Sequence, residues 1–546
     1  MWETRARVSQ LVFNYTAPSH VLGEASTIAA NMQIVPWQYS LATRVLFEQD
    51  ADATQRVLRK LAPDNCIVFL VSKDFEAAAD QTEKYYGTKF SVDVVNASTL
   101  EAWGAAPDAD EAALAELHVQ AHNEFIPRST WMQCDSLVCS PQDFLADAHE
   151  LRPAVVRSAS TFKLWYKLDR ASLAPLTAVR VRLALGVGFS DARAVALLHV
   201  VCALANAWAE RHLSDALQLN YRSEVRALKS GLEFSFVGFS DKITEFAATV
   251  VHALRHFRFS PREFHVAKET ALIELNSFQY QRPFRVAGEH VRAALLKYAF
   301  LPEELRPHVG DAALEDVREF TASALNQAYA QIYVTGNARA KQAESFAANF
   351  TSELRFLALE PSLREPNRVR ALPAGATYAL ALRNRDAQQP DSATVAYFQL
   401  AFEDDETMFR AKALLLLTTS VAEPMLYTHL RSEKQLGYIV GSTQIRIENS
   451  VGWTIIVQGQ KERPEVVDAE ITACLRNQVR NAIANMSETR FLQLKKSVKL
   501  HVDRKLPSLD QRVAYVWEEI VKPVSHYNKQ EEIAAAIDAT QLDDLV

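Results

Sequence analysis

The stretch His429-Leu-Arg-Ser-Glu-Lys-Gln-Leu-Gly-Tyr-Ile-Val440 marks the junction of a helix and a strand. It follows the apolar run 411–420, which is typical of a helix, and it opens a segment of alternating apolar residues. Gly437 stands where the helix ends, and we expect it to take the left-handed conformation because it lacks a Cβ. Tyr438 would then begin the strand, and Arg431 and Tyr438 could face one cavity.

By spacing alone, the same pattern fits an ordinary helix end with a surface arginine and a buried tyrosine. A second copy of the stretch lies earlier in the chain. His212-Leu-Ser-Asp-Ala-Leu-Gln-Leu-Asn-Tyr221 aligns with 429–438 at a constant offset (429 − 212 = 217), and five of the ten positions are identical. Ser214 stands where the later copy has Arg431, whereas Tyr221 matches Tyr438. Only the later copy therefore carries both side chains.

The repeat extends beyond this stretch. Gly231 and Gly238 match Gly452 and Gly459 at an offset of 221, and Phe259–Phe264 matches Met486–Phe491 at an offset of 227. Offsets that drift at loops are typical of duplicated domains, because loops tolerate insertions. The pattern of the first copy predicts strands within 157–185 and at 232–239, and helices at 192–208, 244–256, 262–278 and 312–328. We therefore predict tandem α+β domains, each with one antiparallel-type sheet and helices on one face.

The chain of 546 residues is too long for one core and divides into four predicted parts. Residues 1–95 contain helices and one strand, Cys66 to Val71, without partner strands, so they are expected to be the C-terminal part of a domain. Residues 96–127, rich in Ala, Asp and Glu, predict a linker. The repeated domains are 128–365 and 366–546, and the second is expected to lack its closing strand. We therefore expect a piece of a longer protein.

Composition indicates an ordinary soluble protein. Net charge is −7 with Lys and Arg scattered along the chain, so no nucleic-acid partner is expected. Five cysteines without a C-x-x-C pair favour a reducing compartment. The N-terminus has no apolar run behind a basic start, and no stretch reaches about 18 uncharged apolar residues. We predict a cytoplasmic protein with no membrane partner.

The segment Arg431–Val440 resembles the R-x-x-x-Q-L-G-Y-x-V signature of insulysin-like (insulin-degrading enzyme) zinc metallopeptidases of the pitrilysin or M16 superfamily. Further matching segments follow in the family's order: Leu61–Asn65, Val68–Lys73, Tyr86–Thr88, Asn123–Pro127, Lys163–Lys167, Gly336–Asn337 and Trp517–Ile520. The resemblance extends along nearly the whole chain but corresponds to the second half of such an enzyme. It implies tandem LuxS/metallohydrolase-like domains, with 96–127 joining the two halves of a chamber and 1–95 belonging to a middle domain.

The family's catalytic zinc requires H-x-x-E-H on a helix, with two histidines as ligands and a glutamate that activates water. His252 and His256 have the histidine spacing, but Ala253 and Arg255 lie where the glutamate would be. His118 with His122, and Glu289-His290 with Val286, also lack the pattern. Zinc is thus the cofactor of the family, but its ligands are absent from this chain. P-loop, G-x-G-x-x-G and G-x-S-x-G motifs are absent as well, and Asp404-Asp405 and Glu518-Glu519 are expected to be solvated.

The resemblance implies supporting roles for two residues. The tyrosine of the signature, Tyr438, would donate a hydrogen bond to the developing oxyanion, and Arg431 would hold a peptide carbonyl. The chain would bind peptides and act only with a zinc-bearing N-terminal half, and a homodimer is one expected assembly. The alternative is a non-catalytic structural or binding subunit of the same fold. An unrelated helical scaffold is a weaker hypothesis, because it does not explain the ordered motifs.

Overall fold

The computed structural model describes residues 2–16, 21–104, 122–133, 151–172, 174–187, 191–228, 231–364, 369–503 and 505–545. These residues form two compact units, Met1–Glu124 and Phe125–Val546. The predicted linker 96–127 lies mostly outside the described residues, as do His118, Cys134 and Cys139. The four-part division of the chain therefore stays a prediction.

The first unit is mainly helical. Its elements are α1 (Trp2–Tyr15), α2 (Val21–Asn31), α3 (Ala51–Leu58), β1 (Gln81–Thr82), β2 (Lys89–Phe90) and α4 (Ala97–Gly104). The prediction of a strand at Cys66 to Val71 is wrong, since the described strands of this unit are β1 and β2, which pair only with each other. The apolar side chains of 66–71 are exposed, with Val71 at 96%. The sequence indicated no partner strands for this segment, and an extended segment without a partner cannot form the hydrogen bonds of a sheet.

The first repeat builds a seven-stranded sheet in the order β3-β4-β8-β5-β7-β6, with β9 added beside β8. The strands are β3 (Ala154–Ser158), β4 (Phe162–Leu168), β5 (Leu176–Leu185), β6 (Arg222–Leu228), β7 (Gly231–Phe239), β8 (Gln327–Gly336) and β9 (Leu357–Ala358). All pairs are antiparallel except β4 with β8 and β8 with β9. The predicted antiparallel-type sheet of an α+β domain is confirmed, with a parallel pair where β8 inserts beside β4.

The described helices of this repeat are α5 (Ala192–His212), α6 (Ser214–Leu217), α7 (Ile243–Arg255), α8 (Pro261–Ser277), α9 (Pro283–Leu295), α10 (Pro302–Asp311), α11 (Leu314–Ala324) and α12 (Ala340–Leu354). Asp191 caps α5 by accepting from the N–H groups of Arg193 and Ala194, and Ser260 forms a capping box with Glu263 at α8. Among the described helices, α5 is the one long and apolar enough to span a membrane, and 56% of that window is buried. Because α5 contacts α8, α10 and β6, it is a core helix of this domain.

The second repeat builds a smaller antiparallel sheet in the order β10-β12-β11. Its elements are β10 (Ser392–Phe402), α13 (Met408–Leu426), β11 (Ile439–Ile447), β12 (Ser450–Gly459), α14 (Pro464–Ala473), α15 (Arg480–Ala484), α16 (Glu488–Val502), α17 (Leu509–Ile520) and α18 (Lys529–Ala539). The order matches β5-β7-β6 of the first sheet, so the duplication predicted from the sequence is present in the topology. Two π-helical segments, Tyr427–Glu433 and Cys474–Val479, extend α13 and α14.

The two repeats exchange helices. α17 begins 226 residues after α9 (509 − 283), so they are counterparts, and each packs on the sheet of the other repeat. Val516 and Trp517 of α17 contact Trp165 and Tyr333 of the first sheet. Leu295 of α9 contacts Ile447 of the second sheet. This exchange couples the two cores into one unit.

The prediction that helices flank each sheet is confirmed, and on the first sheet a helix of the other repeat also covers the second face. Successive side chains of a strand alternate between faces. Ala178 of β5 packs against α17, whereas its neighbours Val179 and Val181 are buried on the opposite face, at 1% and 0% exposed. Both faces are therefore covered. The sequence pattern of one repeat could not show this, because the covering helix comes from the other repeat.

The end of α17 carries a buried cluster of charges. Glu519 is 0% exposed and accepts from Lys522 Nζ at 2.7 Å, Lys529 Nζ at 2.9 Å and the His526 N–H at 3.0 Å. Glu518 pairs with Lys529 at 3.2 Å. The prediction that Glu518-Glu519 is a solvated pair is wrong, since Lys522 and Lys529, which follow the end of α17, neutralise it. Asp404-Asp405 is exposed as predicted.

Candidate functional site

The candidate site forms where α13 passes through its π-helical extension into β11. The helical turns end at Glu433, and the chain leaves them through Gln435, whose φ is 56°. The Leu436 N–H donates to the Leu430 carbonyl at 2.8 Å and closes the helix end. A π-helical turn is a rare feature that occurs frequently at functional sites. Here it widens the last turns that carry His429 and Arg431.

Gly437 has a different role from the one predicted. Gln435, not Gly437, takes the left-handed conformation. A Cβ on Gly437 would lie 2.4 Å from the Gln458 carbonyl oxygen and 3.0 Å from Val457 Cγ1. Glycine is required because β12 passes close to this backbone, which local sequence alone could not reveal.

Tyr438 directly precedes β11, one residue before the strand start at Ile439, and its backbone and hydroxyl both bind Gln458. The Tyr438 N–H donates to the Gln458 carbonyl at 3.0 Å, and Gln458 Nε2 donates to the Tyr438 hydroxyl at 2.9 Å. The hydroxyl itself donates to Asp391 Oδ2. The Tyr438 side chain is nevertheless 54% exposed. The hydroxyl of Tyr438 is thus held by Asp391 and Gln458, while much of the side chain stays open to solvent.

Asp391 is the buried partner that positions this hydroxyl. It is 6% exposed, and its Oδ2 also accepts from Gln458 Nε2 at 2.7 Å. Burial alone would raise the pKa of Asp391, but hydrogen bonds from Tyr438, Gln458 and Gln460 bring it below its ordinary value. The hydrogen bond to Asp391 in turn raises the pKa of Tyr438, so the phenol keeps its proton. Asp391 Oδ1 is buried without a hydrogen-bond partner among the described residues.

Arg431 lies beside Tyr438. Its guanidinium donates to the Tyr438 carbonyl oxygen and lies over the Tyr427 ring, 5.5 Å from the ring centroid. The structure therefore brings together the two residues that the sequence analysis singled out. Their predicted roles in binding and catalysis remain predictions.

His429 anchors the helix end beneath these residues. It is 7% exposed, its Nε2 lies 3.0 Å from Glu470 Oε2, and its Nδ1 lies 2.9 Å from Gln478 Nε2. Lys434 also pairs with Glu470 at 3.1 Å. Hydrogen bonds from His429 and Lys434 lower the pKa of Glu470. This network holds the turn between Arg431 and Tyr438 in place.

The sequence analysis missed Asp391, Gln458 and Glu470. Asp391 precedes β10 and Gln458 lies near the end of β12, 67 residues apart. The register that pairs Ser392 with Gly459 brings them side by side. In the sequence, the match between Gly238 and Gly459 was the one indication of where β12 ends. It did not indicate that Asp391 and Gln458 would meet there.

The first repeat has a closed version of this site. Tyr221, the counterpart of Tyr438, is 1% exposed, and its hydroxyl donates to the Phe125 carbonyl at 3.1 Å. Burial raises its pKa. A Cβ on Gly238 would collide with the Tyr221 ring. Tyr221 is thus a core residue, and the two tyrosines of the duplication have diverged in exposure.

One group of described side chains could hold a metal ion: His252, His256 and Glu353 of the first repeat. Its carboxylate comes from α12, not from between the histidines. Ala253 and Arg255 occupy the helix positions where the family's water-activating glutamate would stand, so this group does not fit the family's catalytic zinc centre.

Comparison with known proteins identifies families and relatives that are similar to this chain. Residues 13–307 match the family described as the middle or third domain of peptidase M16, and 416–517 match the PQQ synthase PqqF-like C-terminal lobe domain 4. Similar proteins include insulin-degrading enzyme-like 1, peroxisomal, of Arabidopsis thaliana (25% identity, 100% of this chain, 55% of the relative) and insulin-degrading enzyme of Homo sapiens (24%, 99% and 51%). The chain thus spans about half the length of these curated relatives.

Solved structures share the fold. The crystal structure of pitrilysin superposes with a TM-score of 0.73 at 17% identity, covering 100% of this chain and 55% of that one. The peptidase M16 inactive domain from Pseudomonas fluorescens superposes with a TM-score of 0.51 at 14% identity, covering 72% and 93%. At these identities the likeness concerns the fold alone.

Proposed function

The chain belongs to the M16 peptidase family, and we propose that it is the C-terminal, substrate-binding half of an insulysin-like zinc metalloendopeptidase that degrades peptides in a closed chamber. The observation that carries the proposal is the Arg431/Tyr438 pair, held beside each other at the start of β11. Tyr438 is 54% exposed, whereas its counterpart Tyr221 is 1% exposed. A tyrosine needed only for packing would be buried in both repeats.

The arrangement supports a role for Tyr438 as a hydrogen-bond donor to substrate. Its hydroxyl is held by Asp391 and Gln458, so the phenol oxygen has a fixed position. Turning the O–H about the C–O bond would move its proton from Asp391 to an oxyanion in front of the ring. Asp391 would keep its hydrogen bond from Gln458 during this change. Such a preorganised donor stabilises the charge that develops on the scissile carbonyl oxygen.

Arg431 would bind the peptide backbone. A guanidinium has five N–H donors, and one nitrogen of Arg431 binds the Tyr438 carbonyl. Other donors of the same group can bind a peptide carbonyl, and the positive charge favours negative charge nearby. Since the family's zinc motif is absent from this sequence, peptide cleavage would require a zinc-bearing N-terminal half, in the same or a separate chain.

A non-catalytic binding or structural subunit of M16 fold is the second candidate function. The absence of H-x-x-E-H from the sequence favours it, and an inactive M16 domain has a similar fold. The retained pair of Arg431 and Tyr438 favours the first candidate, because a structural copy does not need an oxyanion donor. A cytoplasmic location and a homodimer stay predictions, and one similar protein is named peroxisomal.

Peptide binding by the purified chain tests the proposal. The probe is a fluorescein-labelled, unstructured peptide of about 20 residues, and the readout is fluorescence anisotropy. We expect Arg431→Ala to weaken binding about tenfold, as for loss of a charge-assisted hydrogen bond of ~1.5 kcal/mol. Arg490→Ala, at an exposed arginine of α16, is the matched control and should bind as the wild type does. Equal affinity of Arg431→Ala and wild type would refute the substrate-binding role.

A further inference from the structure

A cluster of metal-ligand side chains lies on the helical layer of the first repeat, on elements separate from the Arg431/Tyr438 site. His252 lies in the last turn of α7, and His256 follows directly as its C-cap residue. The His256 N–H donates to the His252 carbonyl at 3.0 Å, so the helical turn is closed between them. Residues four apart share one face of a helix. The ring centroids accordingly lie 4.3 Å apart.

The third side chain comes from a different helix. Glu353 lies in the last turn of α12, which packs against α7. Its Oε1 is 2.7 Å from His252 Nδ1 and 3.4 Å from His256 Nε2. One carboxylate oxygen thus faces both imidazoles, and the three ligand atoms lie within 4.8 Å of one another. Helix packing, not sequence proximity, assembles this group.

We propose that His252, His256 and Glu353 form a binding site for a divalent transition-metal ion of the zinc class. Zinc binds imidazole nitrogens and carboxylate oxygens at about 2.0–2.2 Å, which places the ligands of a tetrahedral site about 3.4 Å from each other. The observed separations need only small side-chain rotations to reach that geometry. Two imidazoles and a carboxylate are ligands that zinc prefers over magnesium or calcium.

The residues around the three ligands indicate a structural role for the bound ion. The side chains of His252 and His256 are 50% and 41% exposed, and that of Glu353 is 31% exposed, so water can complete the coordination. Ala253 and Arg255 stand between the two histidines, so α7 has no carboxylate there that could activate such a water. The bound ion would instead join the C-terminal ends of α7 and α12. It would stabilise the folded chain because it binds the native arrangement of the three ligands.

Isothermal titration calorimetry of the chelator-treated chain with zinc chloride tests this proposal. The variants are His252→Gln and Glu353→Gln, and the matched control is His265→Gln, at an exposed histidine of α8. We expect both site variants to lose the same single binding event, or to weaken it by more than about tenfold, and the control to keep it. Zinc should raise the melting temperature of the wild type by a few degrees, and this rise should be absent from both site variants.

Cobalt(II) substitution identifies the ligands independently. A visible spectrum of nitrogen and oxygen coordination, lost in His252→Gln, would support the site. A thiolate-to-cobalt charge-transfer band would assign the ion to cysteines and overturn the proposal. Equal zinc binding by wild type and both site variants would also overturn it. Because the three residues lie at the surface, the variants are expected to fold, which circular dichroism checks. The proposal is independent of peptide binding by Arg431 and Tyr438.

Discussion

Replacing Glu519 by Gln should strongly destabilise the unit Phe125–Val546. Glu519 is fully buried and neutralises Lys522 and Lys529 through charge-assisted hydrogen bonds of 2.7 and 2.9 Å. Glutamine keeps an oxygen for the His526 N–H but carries no charge. Breaking a buried ion pair by removing one partner costs about 3–5 kcal/mol. Glu518 continues to neutralise Lys529, and Glu403 continues to neutralise Lys522 at 3.0 Å, so we expect the lower end, a loss of about 3 kcal/mol in the free energy of unfolding.

The same substitution should change how stability depends on pH. Burial by itself would raise the pKa of Glu519, but Lys529, Lys522 and the His526 N–H bring it below the ordinary value of 4.5. The unfolded chain then binds the proton more readily than the folded chain does. The stabilisation is therefore fully present above pH about 4.5 and is lost as pH falls through the lower folded pKa. The difference between wild type and Glu519→Gln should shrink in acid.

Urea unfolding followed by far-ultraviolet circular dichroism at pH 7 and at pH 3.5 measures both effects. Glu531→Gln, at an exposed carboxylate of α18, is the matched control and should stay within about 0.5 kcal/mol of wild type. A loss below about 1 kcal/mol for Glu519→Gln at pH 7 would refute the reasoning, because it is the size expected for a solvated pair. A difference that grows in acid would refute the assigned pKa shift.

Three further predictions concern the candidate site. Gly437→Ala should lower the free energy of unfolding by about 1–3 kcal/mol, because its Cβ would lie 2.4 Å from the Gln458 carbonyl oxygen; urea unfolding measures this. Tyr438→Phe in the assembly with a zinc-bearing half should lower kcat about 10²-fold while the melting temperature changes little, as steady-state hydrolysis and thermal scans would show. Asp391→Asn should lower kcat more than it raises KM, because it loosens the Tyr438 hydroxyl, and it should lower the pKa of Tyr438, which ultraviolet titration of the phenol detects.

Each of these predictions has a contradicting result. Wild-type stability of Gly437→Ala would mean that β12 does not approach this backbone. Full turnover of Tyr438→Phe would remove the oxyanion role. An unchanged phenol pKa in Asp391→Asn would show that Asp391 does not hold the hydroxyl. Gly288→Ala, where a Cβ meets nothing within 4 Å, is the matched control for Gly437→Ala.

The sequence predicted the elements whose pattern is local. The long helix α5 and the strand β7 follow from apolar periodicity, because each pattern repeats within a few residues. The adjacency of Arg431 and Tyr438 followed from their position around one helix end. These features depend on neighbours along the chain, and the structure confirms them.

The features that the sequence did not predict depend on contacts between distant residues. Asp391 meets Tyr438 across 47 residues, and Glu353 meets His252 across 101. Glu519 was expected to be solvated, but it is buried. Its lysine partners follow the end of the helix, and the sequence did not specify the path of the chain there. The sequence analysis also gave the wrong reason for the glycine at position 437. Gln458 comes close to Gly437 only through the register of β11 and β12, which neighbours along the chain do not show.

The measurement that tests the central claim most directly is hydrolysis of a quenched fluorescent peptide by this chain, alone and mixed with a zinc-bearing N-terminal half of a related M16 enzyme. We predict no cleavage by either half alone, cleavage in the mixture, loss of cleavage with a chelator, and about 10²-fold slower cleavage when the chain carries Tyr438→Phe. Cleavage by this chain alone, or equal cleavage by mixtures with wild type and Tyr438→Phe, would contradict the account.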